Sequence, residues 1–340
     1  MSLGKLSPLK YFNMQYNLTI ATTPMQIINA IEAINYFNTK NNILVLIFKP
    51  RDDNNLQLEK IAKLYLWNKI IRVNNNLKKS KYIEYIKLIN ELKNFHYNYI
   101  FFGNFTSIYK IIISNIKKEH LYLIDDGSAT IHIYKNILIP NKINSLSIKE
   151  LRFLLIGFKT KIKDKINIFT YFTLPYDERF PVVENKLTYF KEKLNKENFI
   201  EEDIIFLGQP LASSNFISQT DYSNYLKSIK KIKDKKIIYI PHRFENINSE
   251  LKELEDRYFK ILPIDIPIEL YFIYNSIIPT HIISFCTSAT FTLEKIYPSL
   301  LCENIIIPKE KFLKKQKEFY LCYDTLQEQT DSTNLNIENL

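Results

Sequence analysis

The chain contains Leu123-Ile124-Asp125-Asp126-Gly127-Ser128, two adjacent carboxylates and a glycine at the end of an apolar run. An open α/β sheet presents its chemistry at the carboxyl ends of its strands, so acids placed there are candidates for proton transfer. Neighbouring carboxylates repel, which raises the proton affinity of one of them, and side chains at a strand ending point to opposite faces. One of Asp125 and Asp126 is therefore expected to meet substrate, and the pattern does not say which. The plain alternative is that both cap the following turn while Gly127 supplies a positive φ. Glycine is scarce, five in 340 residues, so each survivor is expected to do what no side chain permits, a positive φ or a close backbone approach. Gly103 in Phe101-Phe102-Gly103-Asn104 and Gly208 in Phe206-Leu207-Gly208-Gln209-Pro210 also close apolar runs.

Three further places carry chemistry. Ile237-Ile238-Tyr239-Ile240-Pro241-His242-Arg243 puts an imidazole just beyond a buried strand, where burial can tune it as a general acid, with a guanidinium beside it that suits a phosphate. A histidine that caps the strand or pairs with Glu245 is the bland reading. Ser284-Phe285-Cys286-Thr287-Ser288-Ala289-Thr290 is a hydroxyl-rich turn before a helix, an anion site or an ordinary N-cap. In Pro267-Ile268-Glu269 the proline opens a helix and Glu269 stands in its first turn, structural unless other residues join it. Neither a G-x-G-x-x-G fingerprint nor a Walker-type lysine loop is present, which argues against dinucleotide and P-loop readings. Arg51-Asp52-Asp53 reads as a solvated loop, and no metal site is expected.

The elements that must position these residues alternate. Asn17–Ala21 reads as the first strand. Thr22-Thr23-Pro24 turns it into a helix over Met25–Phe37, with Thr23 as N-cap and Pro24 at the first helical position. Strands at Asn42–Phe48, Ile70–Val73, Tyr97–Phe102 and Leu121–Ile124 then alternate with helices at Asn54–Asn68, Lys79–Asn94 and Ser107–Ile116. From Ile131 to Tyr189 the pattern weakens into an expected helical and loop connection. A second series holds strands at Asp203–Leu207, Lys236–Ile240, His281–Phe285 and Leu300–Ile306. Its helices are expected near Thr220–Lys233, Ser249–Phe259, Ile268–Ile277 and Thr290–Tyr297. Alternation of this kind predicts an α/β fold with parallel sheets, two Rossmann-like domains facing a central cleft. The expected limits are 15–195 with the connecting segment, 196–325, and a polar, frayed tail at 326–340, after an irregular leader at 1–15.

The bulk numbers fit that plan. Length suits two domains, and a 46% hydrophobic fraction with 23 Tyr and 23 Phe fills both cores. A formal net charge of +10 favours an anionic partner: a sugar nucleotide, a membrane surface or a nucleic acid. The lysines are dispersed along most helices, which favours solvated faces over a nucleic-acid stripe. Cys286, Cys302 and Cys322 are odd in number and lack C-x-x-C spacing, against a disulfide framework or a zinc site and in keeping with a reducing cytoplasm. The apolar stretch Leu18–Phe37 is interrupted by Pro24, Gln26, Asn29 and Glu32, so it fails as a signal or a membrane span, and any membrane contact is expected to be peripheral.

Taken in order, Thr22-Thr23-Pro24-Met25-Gln26, Asp125-Asp126-Gly127, Gly208-Gln209-Pro210, Pro241-His242-Arg243, Pro267-Ile268-Glu269 and Phe285-Cys286-Thr287-Ser288 resemble the motifs of bacterial GT-B sialyltransferases. The nearest likeness is to the lipooligosaccharide sialyltransferases of glycosyltransferase family 52, spread thinly over roughly 17 to 310. The resemblance implies an acceptor-side first domain and a nucleotide-binding second one. It implies inverting transfer of sialic acid from CMP-sialic acid to a terminal galactoside of lipooligosaccharide or capsule, α-2,3 in linkage. Asp125 or Asp126 would be the general base and His242 the general acid on the leaving phosphate. Glu269 would hold the CMP nucleoside, and Thr287 and Ser288 its phosphate. Gly208, Gln209 and Arg243 would line the donor pocket, with Thr23, Pro24, Gln26, Gly127 and Ser128 on the acceptor or cleft side.

Two departures stand out. The family's His-Pro pair is His242-Arg243 here, and Leu211 stands where one member carries an aspartate proposed as base. The resemblance implies no cofactor and no metal, with CMP-sialic acid as donor substrate. It implies a cytoplasmic enzyme with peripheral contact to an anionic inner membrane, no nucleic acid partner, and a capacity to form a homodimer. Other readings stay open: another family 52 sugar transferase such as an α-glucosyltransferase, or a non-catalytic basic protein that binds anions.

Overall fold

The computed structural model describes residues 15–49, 52–74, 81–194, 199–232, 235–285, 287–314, 316–329 and 332–335. Most of the expected leader, Arg51 and Cys286 lie outside the described residues. The chain divides into two compact units, Met1–Asn185 and Lys186–Leu340, where the sequence suggested a boundary at 195.

In the first unit, strands β1 (Tyr16–Ala21), β2 (Asn42–Ile47), β3 (Lys69–Val73), β4 (His96–Phe102), β5 (Lys117–Ile124), β6 (Ile166–Thr170) and β7 (Val182–Glu184) form one sheet. Its order is β3-β2-β1-β4-β5-β6-β7, every pair parallel. Parallel strands are covered on both faces, which is why β2, Asn-Ile-Leu-Val-Leu-Ile, is buried at all six positions. The crossovers are α1 (Pro24–Tyr36), α2 (Asp52–Ala62), α3 (Lys81–Leu92) and α4 (Ser107–Asn115). Asp52 and Asp53 thus open a helix where the sequence suggested a loop. After β5 come α5 (Ala129–Ile133), a wider π-type turn at Tyr134–Leu138, and α6 (Ile148–Leu155).

The stretch expected to connect two domains instead completes the first one, because β6 extends the sheet beside β5 and β7 forms its edge. Ile166, Ile168 and Phe169 are buried, and Ile166 and Ile168 belong to the same core as Leu18, Ile100 and Leu123.

The second unit begins with α7 (Thr188–Lys191) and β8 (Phe199–Glu201) and then repeats the plan. Strands β9 (Ile204–Leu207), β10 (Ile237–Ile240), β11 (Phe259–Ile261), β13 (His281–Ser284), β14 (Leu301–Ile305) and β15 (Thr333–Leu335) form a parallel sheet in the order β11-β10-β9-β13-β14-β15. Its helices are α8 (Gln219–Ile232), α9 (Ser249–Lys252), α10 (Ile268–Tyr274), α11 (Ser288–Ile296) and α12 (Gln316–Gln327). A small separate pair joins β8 to β12 (Ile277–Pro279).

Three expectations are corrected in this unit. The helix expected over Ser249–Phe259 is one turn, because the Asp256 carboxylate accepts from the N–H groups of Tyr258 and Phe259 and turns the chain into β11. The helix expected to reach Ile277 ends at Tyr274. The tail does not simply fray, since Thr333–Leu335 pairs in register with Glu303–Ile305 of β14. In both sheets the order reverses beside the first strand, between β1 and β4 and between β9 and β13. Such reversals open a crevice at the carboxyl edge where ligands bind in doubly wound folds.

Candidate active site

The two aspartates part company at the end of β5. Asp125 is fully buried and turns toward β6, where its carboxylate accepts from Thr170 Oγ1 at 2.7 Å and from the Tyr171 N–H at 2.8 Å. Burial pushes the carboxyl from 3.8 up to about 7, against the opposing pull of those hydrogen bonds. Its backbone carbonyl accepts from Asn29 Nδ2 at 3.1 Å, and Asn29 in turn accepts from Asn185 Nδ2 at 3.0 Å. Asp125 therefore fastens β5 to β6 and α1, which is structural work.

Asp126 is only partly buried and faces α1. Thr23 Oγ1 donates to its Oδ1 at 2.5 Å and Gln26 Nε2 donates to its Oδ2 at 2.8 Å. Both carboxylate oxygens thus act as acceptors, which fixes the carboxylate plane against the first turn of α1. The clamp follows from local sequence. Thr23, in extended conformation, caps α1 through the Gln26 N–H at 3.4 Å, and Pro24 stands at the first helical position. That cap directs the first turn of α1 at the end of β5.

Gln26 is itself fixed. It has no exposed surface, and its Oε1 accepts from the Thr22 N–H at 2.7 Å and from the Tyr109 hydroxyl at 2.9 Å. Gly103, at the end of β4, makes room for it, since a Cβ there would fall 2.5 Å from Gln26 Cγ. Gly127 turns the chain with φ 61° and the Asp126 N–H donates to Thr130 Oγ1 at 3.0 Å, while Ser128 precedes α5 without a side-chain cap. Thr22, Asn104, Phe105, Tyr109 and Lys149 line a cavity of about 690 Å³ in this unit.

In the second unit Gly208 follows β9, and the constraint is again close approach rather than φ. A Cβ at Gly208 would lie 2.5 Å from the Tyr239 hydroxyl and would also collide with the Glu245 carboxylate. A chain of hydrogen bonds runs through this point. The Gln209 N–H donates to Tyr222 Oη at 3.1 Å, the Tyr222 and Tyr239 hydroxyls meet at 2.8 Å, and Tyr239 donates to Glu245 Oε1 at 2.5 Å. Glu245 Oε2 also accepts from the His242 N–H at 3.1 Å. Glu245 therefore holds the His242 backbone and leaves the ring to other partners. Burial holds the Glu245 carboxyl above its ordinary range, opposed by the bonds from Tyr239 and Tyr222.

The His242 ring accepts at Nδ1 from the Phe244 N–H at 3.2 Å, which places the proton of the neutral ring on Nε2. Burial, and after it the adjacent Arg243 charge, push the imidazole from 6.5 down to about 4. The Arg243 guanidinium lies 4.8 Å from the centre of the Phe244 ring. Glu269, Thr287 and Ser288 form a separate group around the start of α11. Thr287 caps α11 through the Ala289 N–H at 3.3 Å, and Thr292 Oγ1 donates to Glu269 Oε1 at 2.7 Å, tying α10 to α11. Burial raises the Glu269 carboxyl above its usual range, and the Thr292 hydroxyl opposes this.

Sequence reasoning overlooked Tyr109, Thr170, Tyr222 and Tyr239, and treated Asn29 only as an interruption of an apolar run. One signal was present: Gln26, Asn29 and Glu32 recur at three-residue spacing and are all buried, a polar stripe down an otherwise apolar helix.

No family model matches the chain, and no curated protein is significantly similar in sequence. Among solved structures, the chain is similar to the UDP-GlcNAc 2-epimerase of Methanocaldococcus jannaschii, with TM-score 0.52 and 12% identity over 96% of this chain and 90% of that one. It is also similar to spinosyn rhamnosyltransferase SpnG complexed with thymidine diphosphate, with TM-score 0.53 and 7% identity over 95% and 86% of the two chains. A third likeness is to S. aureus MnaA in its co-structure with UDP, with TM-score 0.51 and 10% identity over 86% and 79%. The fold is GT-B. In this GT-B chain, β1, β4 and β5 carry the Thr23–Gln26–Asp126 clamp, and β9 and β10 carry Gly208 and His242 at the same edge of the second sheet. Among the described residues, no group of three or more His, Cys, Asp and Glu is arranged to hold a metal ion, and no helix is long and apolar enough to cross a membrane.

Proposed function

We propose that this chain is a glycosyltransferase that moves sialic acid from CMP-sialic acid to a terminal galactoside of lipooligosaccharide or capsule, with inversion and α-2,3 linkage. The observation that carries the reading is the Asp126 carboxylate, held on both oxygens by Thr23 and Gln26 at the carboxyl edge of the first sheet. These are residues of the two first-unit motifs that resemble family 52. Asp126 takes the proton of the acceptor hydroxyl as that oxygen bonds to the anomeric carbon of the donor and the bond to the CMP phosphate breaks. His242 donates through Nε2 to the departing phosphate. Its proton affinity, depressed in the free protein, rises when an anion arrives beside it, so the ring becomes a proton donor when the donor substrate binds. Arg243, Thr287 and Ser288 add charge and hydroxyl donors for the phosphate, Glu269 holds the nucleoside, and Gly208 and Gln209 line the donor pocket.

The test is turnover of CMP-sialic acid with lactose as acceptor. Asp126→Asn is expected to lower kcat by about 10²- to 10⁴-fold, and His242→Ala to slow release of CMP, while Asp125→Asn stays within about tenfold of the parent. A second reading draws on two neighbours, one a co-structure with UDP and one complexed with thymidine diphosphate. It makes the donor a UDP- or TDP-sugar. Consumption of such a donor with CMP-sialic acid left untouched would select it over the first. Salt-sensitive anion binding with no turnover of any nucleotide sugar would select a non-catalytic protein instead.

A further inference from the structure

We propose that the outward face of α6, with the lysine-bearing stretch that follows it, is a docking surface for an anionic lipid bilayer. The helix is inverted in polarity. Its buried residues are Glu150 and Phe153, whereas Ile148 is 80% exposed, Leu151 42%, Leu154 49% and Leu155 86%. At roughly 100° per residue, Ile148, Leu151 and Leu155 occupy the side opposite Glu150 and Phe153 together with Arg152, while Leu154 and Lys149 flank the buried pair at the margins. Ile156 continues the exposed apolar surface at 55%. A surface helix normally turns such a stripe toward its own core, and a contiguous exposed apolar patch marks an interaction site.

The inversion is built in. Ser147 and Glu150 form a reciprocal cap, and the buried Glu150 carboxylate pairs with the buried Lys110 ammonium at 2.9 Å. Glu150 is thereby committed to the inside, and the aliphatic side must face out. Gly157, with φ 87°, ends the helix, and the Phe158 N–H returns to the Phe153 carbonyl at 3.0 Å, so Leu155 and Ile156 cannot roll inward.

Charge selects the occupant. Between 142 and 165 the chain has seven basic residues and two acidic ones. The acids are Glu150, paired with Lys110, and Asp164, paired with Lys118. Lys159, Lys161 and Lys163 are exposed while Phe158, Thr160 and Ile162 between them are buried, so the lysines share the outer side. Asn115 brackets Lys159 with two backbone hydrogen bonds, and Asn144 does the same for Ile162, which holds the stretch in place. An aliphatic stripe flanked by cations matches a helix lying in the headgroup layer of an anionic membrane. A protein groove would not require the surrounding cations. The inner side of α6 lines the first-unit cavity through Lys149 and Phe153, so an acceptor carried on lipid would reach that cavity beside the docked face. That last step alone rests on the transferase reading.

The experiment is co-sedimentation with phosphatidylglycerol or phosphatidylcholine vesicles, using the parent, Ile148→Ser/Leu155→Ser and Lys159→Gln/Lys161→Gln. The parent is expected to bind phosphatidylglycerol vesicles and to release with salt. The aliphatic variant should lose at least tenfold in affinity, and the lysine variant about fivefold per charge, with unchanged urea midpoints and unchanged turnover of soluble substrates. Failure of the parent to sediment, or equal binding by all three, overturns the proposal. So does a parent dimer that Ile148→Ser/Leu155→Ser converts to monomer, because the face would then be covered by a second copy. Vesicle binding needs no turnover, so it is decided separately from the donor.

Discussion

Replacing Asp125 by Asn is expected to stabilise the first unit at neutral pH. The folded unit favours the protonated acid, because burial lifts it from 3.8 to about 7. Its stabilising contribution is therefore complete below pH 3.8 and is lost as the pH rises through about 7. At ~1.4 kcal/mol per pH unit, the loss amounts to about 4 kcal/mol. An amide copies the neutral acid here, with Oδ1 accepting from the Tyr171 N–H and Nδ2 donating to Thr170 Oγ1, and it does not titrate. Parent and Asp125→Asn should then have nearly equal stability at pH 4 and diverge by up to about 4 kcal/mol at pH 8, the variant being the more stable. The assay is urea unfolding followed by tryptophan emission at several pH values. The only tryptophan is Trp67, buried in the first unit with its Nε1 donating to the Ala62 carbonyl, so the signal reports the unit that holds Asp125. Parallel stability curves, or a variant that is weaker at pH 8, would refute the reasoning and mean that the Thr170 and Tyr171 donors outweigh desolvation.

His242 should act with the opposite sign in the second unit: its depressed value makes the contribution full above pH 6.5 and lost as the pH falls through about 4. The loss is about 3 kcal/mol, and His242→Asn should abolish that slope in tyrosine circular dichroism. Gly103→Ala should cost about 1 to 3 kcal/mol in Trp67-monitored unfolding and lower turnover without touching substrate, because its Cβ would displace Gln26 from Asp126. Lys110→Met should destabilise the first unit by about 3 to 5 kcal/mol by leaving Glu150 buried and unpaired, and adding Glu150→Leu should restore most of it.

Much of the sheet was legible because parallel strands are long apolar runs and their crossovers are amphipathic. β1, β2, β4 and β5 announce themselves in this way, and so do the motifs at their carboxyl ends. The strands that escaped lack that signature. β15 is Thr-Asn-Leu, a strand only because its backbone pairs with β14, and β7 is a three-residue edge. β6 was hidden by the lysines around it, which face outward beside a buried core. The α6 inversion was hidden for a related reason: hydrophobic periodicity reads which residues share a face but not which face is inside, and the Lys110–Glu150 pair decides that from 40 positions away. The parting of Asp125 and Asp126 followed from strand geometry, but their partners, Thr170 on one side and Gln26 on the other, are set by sheet order.

Glycine scarcity acquires a physical meaning in the two units. Gly103 and Gly208 do not use positive φ; each removes a Cβ where a polar side chain crosses the carboxyl edge of a sheet. At Gly103 the crossing side chain is Gln26, which clamps Asp126. At Gly208 it is the Tyr239–Glu245 pair, which clamps the His242 backbone. The 3-2-1-4-5-6 strand order repeated in both sheets makes this recurrence intelligible. Gly103 follows β4 and Gly208 follows β9, strands that border the reversal in their respective sheets, where a crossover leaves on either side and the backbone edge is exposed to whatever must be held there. A side chain at either glycine would cost packing and would also displace the side chain that holds Asp126 or the His242 backbone. In a chain where lysine, asparagine and isoleucine fill more than a third of the positions, these two glycines let Gln26 reach Asp126 and the Tyr239–Glu245 pair reach the His242 backbone.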